Sequence, residues 1–141
     1  MAKWLLKSEP ESWSWDDQCN VATEPWNGVR NFQAQKNLAS MQIGDQALFY
    51  HTGNAREIVG IVTVARGPYP DPDDTTGRFC LVDVRAVKPL RPVPLAAIKA
   101  DRRLAHLALV RQPRLSVVPI DDEAWKILVE MGTKQKSQAG N

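Results

Sequence analysis

The chain has 141 residues, of which 43% are hydrophobic and 24% charged, with a formal net charge of +2. That length suffices for one self-sufficient core, and no apolar run approaches the roughly 20 residues a membrane span needs. Cys19 and Cys80 form no CxxC pair and no His/Cys cluster, so no metal centre and no cofactor are expected; both read as reduced, structural thiols.

The opening "MAKWLLKSEPE" lacks an apolar leader and a cleavage site, which predicts a cytoplasmic protein of bacterial-type cytosol. "KWLLK" (3–7) reads as a first strand, closed by Pro10. "SWSWDDQ" reads as a short helix capped by Ser14, and "NFQAQKNLASM" (31–41) as a helix capped by Asn31 and stopped by "IGD". "QALFYH" (46–51) alternates as a strand, "TGNARE" connects a hairpin, and "IVGIVTVA" (58–65) is apolar on both faces and so expected to be buried on both. "RGPYPDPDDTTG" is expected as an exposed loop, followed by a strand over "RFCLVDVRAVK" (78–88) with Cys80, Val82, Val84 and Ala86 on its apolar face.

"PVPLAAIKADRRLAHLALV" suggests one or two short helices, and "RLSVVPI" (114–120) a last strand. "DDEAWKILVEMG" predicts an amphipathic helix capped by Asp121 or Asp122, with a stripe of Ala124, Ile127, Leu128 and Met131 and a stop at Gly132. Strands separated by short helices, without βαβ alternation, predict an α+β fold on a mixed or antiparallel, barrel-like sheet. Residues 1–131 are expected to form a single domain, and the polar stretch 132–141 a disordered tail.

No nucleophile elbow, metalloprotease helix, P-loop or dinucleotide fingerprint occurs. His51, at a strand end, suits a ligand contact and a structural role about equally, while His106 reads as structural. Glu9 and Glu11 read as solvated or capping carboxylates, since nothing positions them against a nucleophile. Trp4 and Trp125 read as core or core edge, and Trp13 and Trp15 as caps on the sheet. Trp26 differs, because "WNGVRN" (26–31) sets an indole, a permissive glycine, a cation and an amide in a loop before a helix N-terminus. An indole there is either a lid on the core or one wall of a flat aromatic pocket; in the second case the group suits a nucleobase with its phosphate. From Lys99 to Arg114 one acid, Asp101, stands against five cations; the strip suits a solvated charged face and a phosphate contact about equally, and Lys99, Arg102, Arg103 and Arg111 are the phosphate-binding candidates.

Taken in order, "WLLKSEP", "WNGVRNFQAQKNL", "GDQALFYHTGN", "IVGIVTV", "YPDP", "VDVRAV", "LAAIKA" and "RLSVVPI", followed by Trp125, resemble the EVE-domain family of the PUA-like superfamily. The resemblance covers nearly all of residues 3–131. It implies a β-barrel of five or six strands with flanking helices, related to the YTH domains that hold a methylated base in an aromatic cage. Carried onto this chain, it implies a pocket of Lys7 and Ser8; Trp26, Gly28, Val29, Arg30 and Asn31; Tyr50, His51, Thr52 and Asn54; and Arg114, Leu115 and Ser116. Three positions depart from the family pattern: Phe32 stands where Tyr is commoner, Asn27 where an acid is, and Thr52 where Ser is. These alter polar readout, not fold.

The implied function is a non-catalytic module that recognises a modified base in DNA or RNA, with a monomer favoured. Stacking a base on an aromatic ring contributes about 1–3 kcal/mol and extruding one from a duplex costs a few, so phosphate contacts are needed as well. Two alternatives stand beside it: a small-molecule or protein-interaction module that takes a planar ligand in the same pocket, and an enzyme on modified nucleotides with His51 or Glu9 moving a proton.

Overall fold

The computed structural model describes residues 1–133. Its centre is a six-stranded mixed sheet of order β2-β5-β4-β3-β1-β6. The strands are β1 (Lys3–Ser8), β2 (Glu24–Pro25), β3 (Gln46–His51), β4 (Glu57–Pro70), β5 (Cys80–Pro94) and β6 (Val117–Ile120). β1 and β3 run parallel, with Ser8 beside His51; every other pairing is antiparallel. The α+β class and the mixed sheet agree with expectation. Six strands also match the expected number, but the barrel is not closed: β2 and β6 lie at opposite ends of the order, and β2 contributes only two residues.

Among the described residues five α-helices flank the sheet: α1 (Trp15–Cys19), α2 (Phe32–Ala39), α3 (Leu95–Ala100), α4 (Ala108–Arg111) and α5 (Asp122–Thr133). Ser14 caps α1 through a reciprocal capping box with Asp17, and the Asn31 side chain accepts from the Ala34 amide to cap α2. Asp121 caps α5 by accepting from the Ala124 amide at 2.8 Å. Gly132 does not stop this helix. It lies buried against Leu90, where a β-carbon would sit 3.0 Å from the Leu90 Cβ, and the helix continues to Thr133. The remainder of the expected disordered tail, residues 134–141, lies outside the described residues.

The apolar residues of 58–64 are buried, as a strand apolar on both faces requires. The largest departure concerns the expected loop. Residues 66–70 continue β4, and β5 continues through "PLRPVP", so the pair forms a long hairpin interrupted by register shifts. Bulges absorb the prolines and the glycine that argue for a loop in sequence. The Gly67–Pro68 bond is cis. Of the basic strip, only Leu95–Ala100 and Ala108–Arg111 are α-helical, separated by a turn of 3-10 helix at Arg102–Leu104.

Phe49 is fully buried and touches three rings edge-on: Trp15 at 5.3 Å, Trp26 at 5.7 Å and His51 at 5.7 Å between centroids. Trp4 is buried too, and its Nε1 donates to Asp45 at 3.0 Å. Both cysteines are free thiols; Cys80 donates to Gln35 Oε1, whereas Cys19 is exposed and so supports no core packing. No helix among the described residues is long and apolar enough to cross a membrane.

Candidate functional site

At the C-terminal end of β1 the chain opens a cavity of about 380 Å³. Seven of the expected pocket residues line it: Lys7, Ser8, Trp26, Gly28, Val29, Arg30 and Ser116. Three elements bring them together. The Lys7 amide donates to the Ser116 carbonyl at 3.0 Å, which joins the end of β1 to the chain entering β6. The Trp26 amide donates to the Val82 carbonyl at 2.7 Å and fixes the loop on β5. Gln35, buried in α2, donates to the Val29 carbonyl at 2.9 Å and accepts from the Cys80 amide at 2.9 Å, holding the other end of that loop.

Trp26 is not the open platform that its loop position suggests. It is 9% exposed and belongs to the core while also lining the cavity. A second indole, Trp13, shares the lining and is less buried. Ser8 Oγ donates to the Trp13 backbone carbonyl and Trp13 Nε1 donates to Gln18 Oε1 at 2.9 Å, so both the backbone and the ring of Trp13 are held. Gln18, itself fully buried, donates in turn to the Val84 carbonyl. Gly28 adopts φ +77° with nothing within 4 Å of where its β-carbon would be, so the need for glycine there is conformational, not steric.

The cavity is electrostatically two-sided. Lys7 and Arg30 bring cations, while Glu9 and Glu24 bring carboxylates. Among the described residues Lys7 has no carboxylate partner in hydrogen-bond range; its Nζ donates to the Pro113 carbonyl at 2.9 Å and lies 5.7 Å from the Tyr50 ring centroid. Burial pushes its pKa below the usual lysine value. The Glu24 carboxyl is pushed up, by burial and then by the negative charge of Asp83. Glu9 accepts from Thr52 Oγ1 at 3.0 Å. Glu9, Ser12, Trp13, Glu24 and Pro25 are lining residues that the sequence did not single out for the pocket, and Asn27 lines it within the 26–31 stretch. Only Asn27 had a signal, as a departure from the family pattern; the others arrive through the fold of the 9–14 turn and the two-residue strand β2.

The rest of the expected set lies elsewhere. Tyr50 and Thr52 line a smaller cavity of about 280 Å³ on the far side of Lys7, together with Arg56 and Lys99. Asn31, Arg114 and Leu115 border a third depression, and Asn31 spends its side-chain oxygen on capping α2. Asn54 is exposed in a turn. His51 does not line the main cavity; its Nε2 accepts from the Trp15 amide at 3.0 Å, and burial lowers its pKa. The phosphate candidates also separate. Arg102 and Arg111 are exposed, and Arg103 is held by Asp101 at 2.7 Å. His106 is paired with Asp121 on the surface.

A larger hollow of about 740 Å³ lies between α2 and the far end of the β4–β5 hairpin, but it holds none of the expected pocket residues.

This architecture is that of a small α+β module whose principal polar hollow sits where a parallel strand pair ends against a glycine-containing loop. The match to the EVE domain family model spans residues 2–131, and the chain belongs to that family. Thymocyte nuclear protein 1 of Gallus gallus is 36% identical, over 91% of this chain and 67% of its own length. A Rhodopseudomonas palustris protein solved by NMR is 50% identical with a TM-score of 0.89, covering 94% of this chain and 93% of that one. The human THYN1 protein, crystallised in complex with 5-methylcytosine containing DNA, is 28% identical with a TM-score of 0.88, covering 96% and 99% of the two chains.

Proposed function

We propose that this protein is a non-catalytic module that binds nucleic acid and recognises a modified base in the cavity beside Trp26. The observation that carries the reading is that one cavity of about 380 Å³ gathers two indoles, a glycine at positive φ, two cations and two carboxylates. That volume falls in the roughly 300–1,000 Å³ range of small-ligand pockets. A flat heterocycle finds apolar walls in Trp13 and Trp26. Carboxylates are the acceptors that suit an exocyclic amino group such as the N4 of cytosine. Lys7 and Arg30 suit the phosphate that such a base carries.

The human relative in complex with 5-methylcytosine containing DNA supports a modified cytosine as the first base to test. A lone methyl group adds only about 0.8 kcal/mol on burial, so the identity of the base rests on its polar edge and the mark on local fit. The two groups that the sequence offers for proton transfer do not meet in the pocket: Glu9 lines it, while His51 is turned to the Trp15 amide. This arrangement favours binding over turnover.

Oligonucleotides carrying 5-methylcytosine, 5-hydroxymethylcytosine or unmodified cytosine, titrated at fixed salt, test the reading. Trp26→Phe, chosen to preserve the packing on Phe49, and Trp26→Ala are compared with the parent protein. The expected result is tighter binding of a modified probe, weakened by Trp26→Ala by roughly five- to a hundred-fold, the equivalent of losing one base stack. If the parent and both variants bind every probe equally weakly, the reading fails.

A further inference from the structure

The hollow between α2 and the β4–β5 hairpin plays no part in that reading. Its volume is about 740 Å³, nearly twice that of the base cavity. At its mouth stands Phe32, the first residue of α2, with 83% of its surface exposed. A single exposed apolar side chain is ordinary, whereas an exposed aromatic at the rim of a broad apolar hollow is a recognised mark of an interaction site. Tyr69 and Phe79 form its opposite wall, between Pro68, Pro70 and Arg78.

Charge decides what kind of partner fits. The lining includes two cations, Lys36 and Arg78, and no carboxylate. Of the three acids of the neighbouring turn, two are engaged elsewhere and Asp73 is exposed to solvent. Asp71 is buried and paired with Arg30, and Asp74 accepts from Thr76 and from the Phe79 amide. Aromatic platforms interleaved with cations are the chemistry of a surface that tracks unpaired nucleotides: rings stack on bases and cations meet phosphates.

The hollow also adjoins the base cavity. Arg30 lines that cavity, and its guanidinium lies 4.4 Å from the centroid of Phe79, which lines the hollow. One side chain therefore forms the partition between the two.

We propose that this hollow is a second nucleic-acid subsite, which holds the nucleotides adjoining the recognised base, with Phe32 as its stacking platform and Arg30 as the shared wall. The proposal rests on the reading of the Trp26 cavity as the base pocket, so its test must separate the two.

Two probes do this: the free nucleoside 5-methyl-2′-deoxycytidine, which can fill only the base cavity, and a short single-stranded oligonucleotide with one central 5-methylcytosine. Phe32 is exposed, so Phe32→Ala leaves the core intact, and thermal melting confirms that. The expected result is that Phe32→Ala weakens the oligonucleotide by roughly five- to a hundred-fold and leaves the nucleoside unchanged, while Phe32→Tyr restores the loss. Arg78→Gln should lower the slope of log affinity against log salt by roughly 0.7. A Phe32→Ala protein that binds the oligonucleotide like the parent overturns the proposal. So does a parent protein that gains nothing from flanking nucleotides, although that result leaves the base pocket standing. A parent that binds neither probe removes both readings. Sedimentation showing that Phe32 serves self-association, with oligonucleotide affinity unchanged, would assign the hollow to a second copy and overturn the proposal.

Discussion

His51 illustrates how a polar residue at a strand end is diverted from ligand to scaffold. Its Nε2 must be unprotonated to accept from the Trp15 amide, and burial holds its pKa below the ordinary 6.5, against the opposing pull of Glu57 and Asp16. The unfolded chain therefore takes up the proton first as pH falls. The contribution is complete above about 6.5 and is lost as pH drops through the lower folded value. Thermal melts between about pH 7.5 and 5 should show a decline in stability that is shallower in His51→Gln; identical slopes would show that the residue has no such role. At this scale the sequence was informative about identity and less so about direction. "WNGVRN" marked Trp26, Gly28 and Arg30 because an indole, a glycine and a cation in a loop have few structural uses. The same reasoning could not place Trp13 or Glu24, whose arrival depends on a turn held by the Ser8 hydroxyl and on a strand of two residues.

Among the elements, β4 carries the tightest constraint. A β-carbon at Gly60 would lie 2.4–2.6 Å from three atoms of the Trp15 ring, so the indole packs directly on the strand backbone and anchors α1 to the sheet. Gly60→Ala should destabilise the fold by about 1–3 kcal/mol or more, read from the urea midpoint, because an overpacked core must displace the indole. An unchanged midpoint would mean that α1 moves aside freely. The helices capped by Ser14, Asn31 and Asp121 were legible because a capping side chain acts on backbone amides within three residues. The far halves of β4 and β5 were not. Their prolines and Gly67 are turn formers by local preference, and only pairing between distant segments, with Tyr69 beside Leu81 and Glu57 beside Pro94, makes them strands. Gly132 failed as a helix stop for the same reason: its lack of a side chain serves contact with Leu90, a partner that no local pattern reveals.

Across the whole molecule, the basic strip read from sequence as one patch is dispersed by folding. Lys99 reaches the small cavity beyond Lys7, near Arg56, whereas Arg103 is committed to Asp101 through both Nε and Nη2. If the strip serves phosphate, Lys99→Gln should reduce the salt dependence of DNA binding by a slope of about 0.9, and Arg103→Gln should change it far less. Equal effects would indicate a diffuse field instead of placed contacts. The sheet order was legible only as a class, since a parallel β1–β3 pair joins strands about 40 residues apart, and closing so long a loop leaves no periodic trace in the chain. Phe49 adds a further consequence. Because Trp26 leans on the same phenyl ring that supports Trp15 and His51, the inner wall of the cavity that it lines cannot drift without disturbing the interior. If the proposed pocket is right, substitutions that alter its preference are better tolerated at Asn27, Glu24 and Glu9, which line the cavity outside the core.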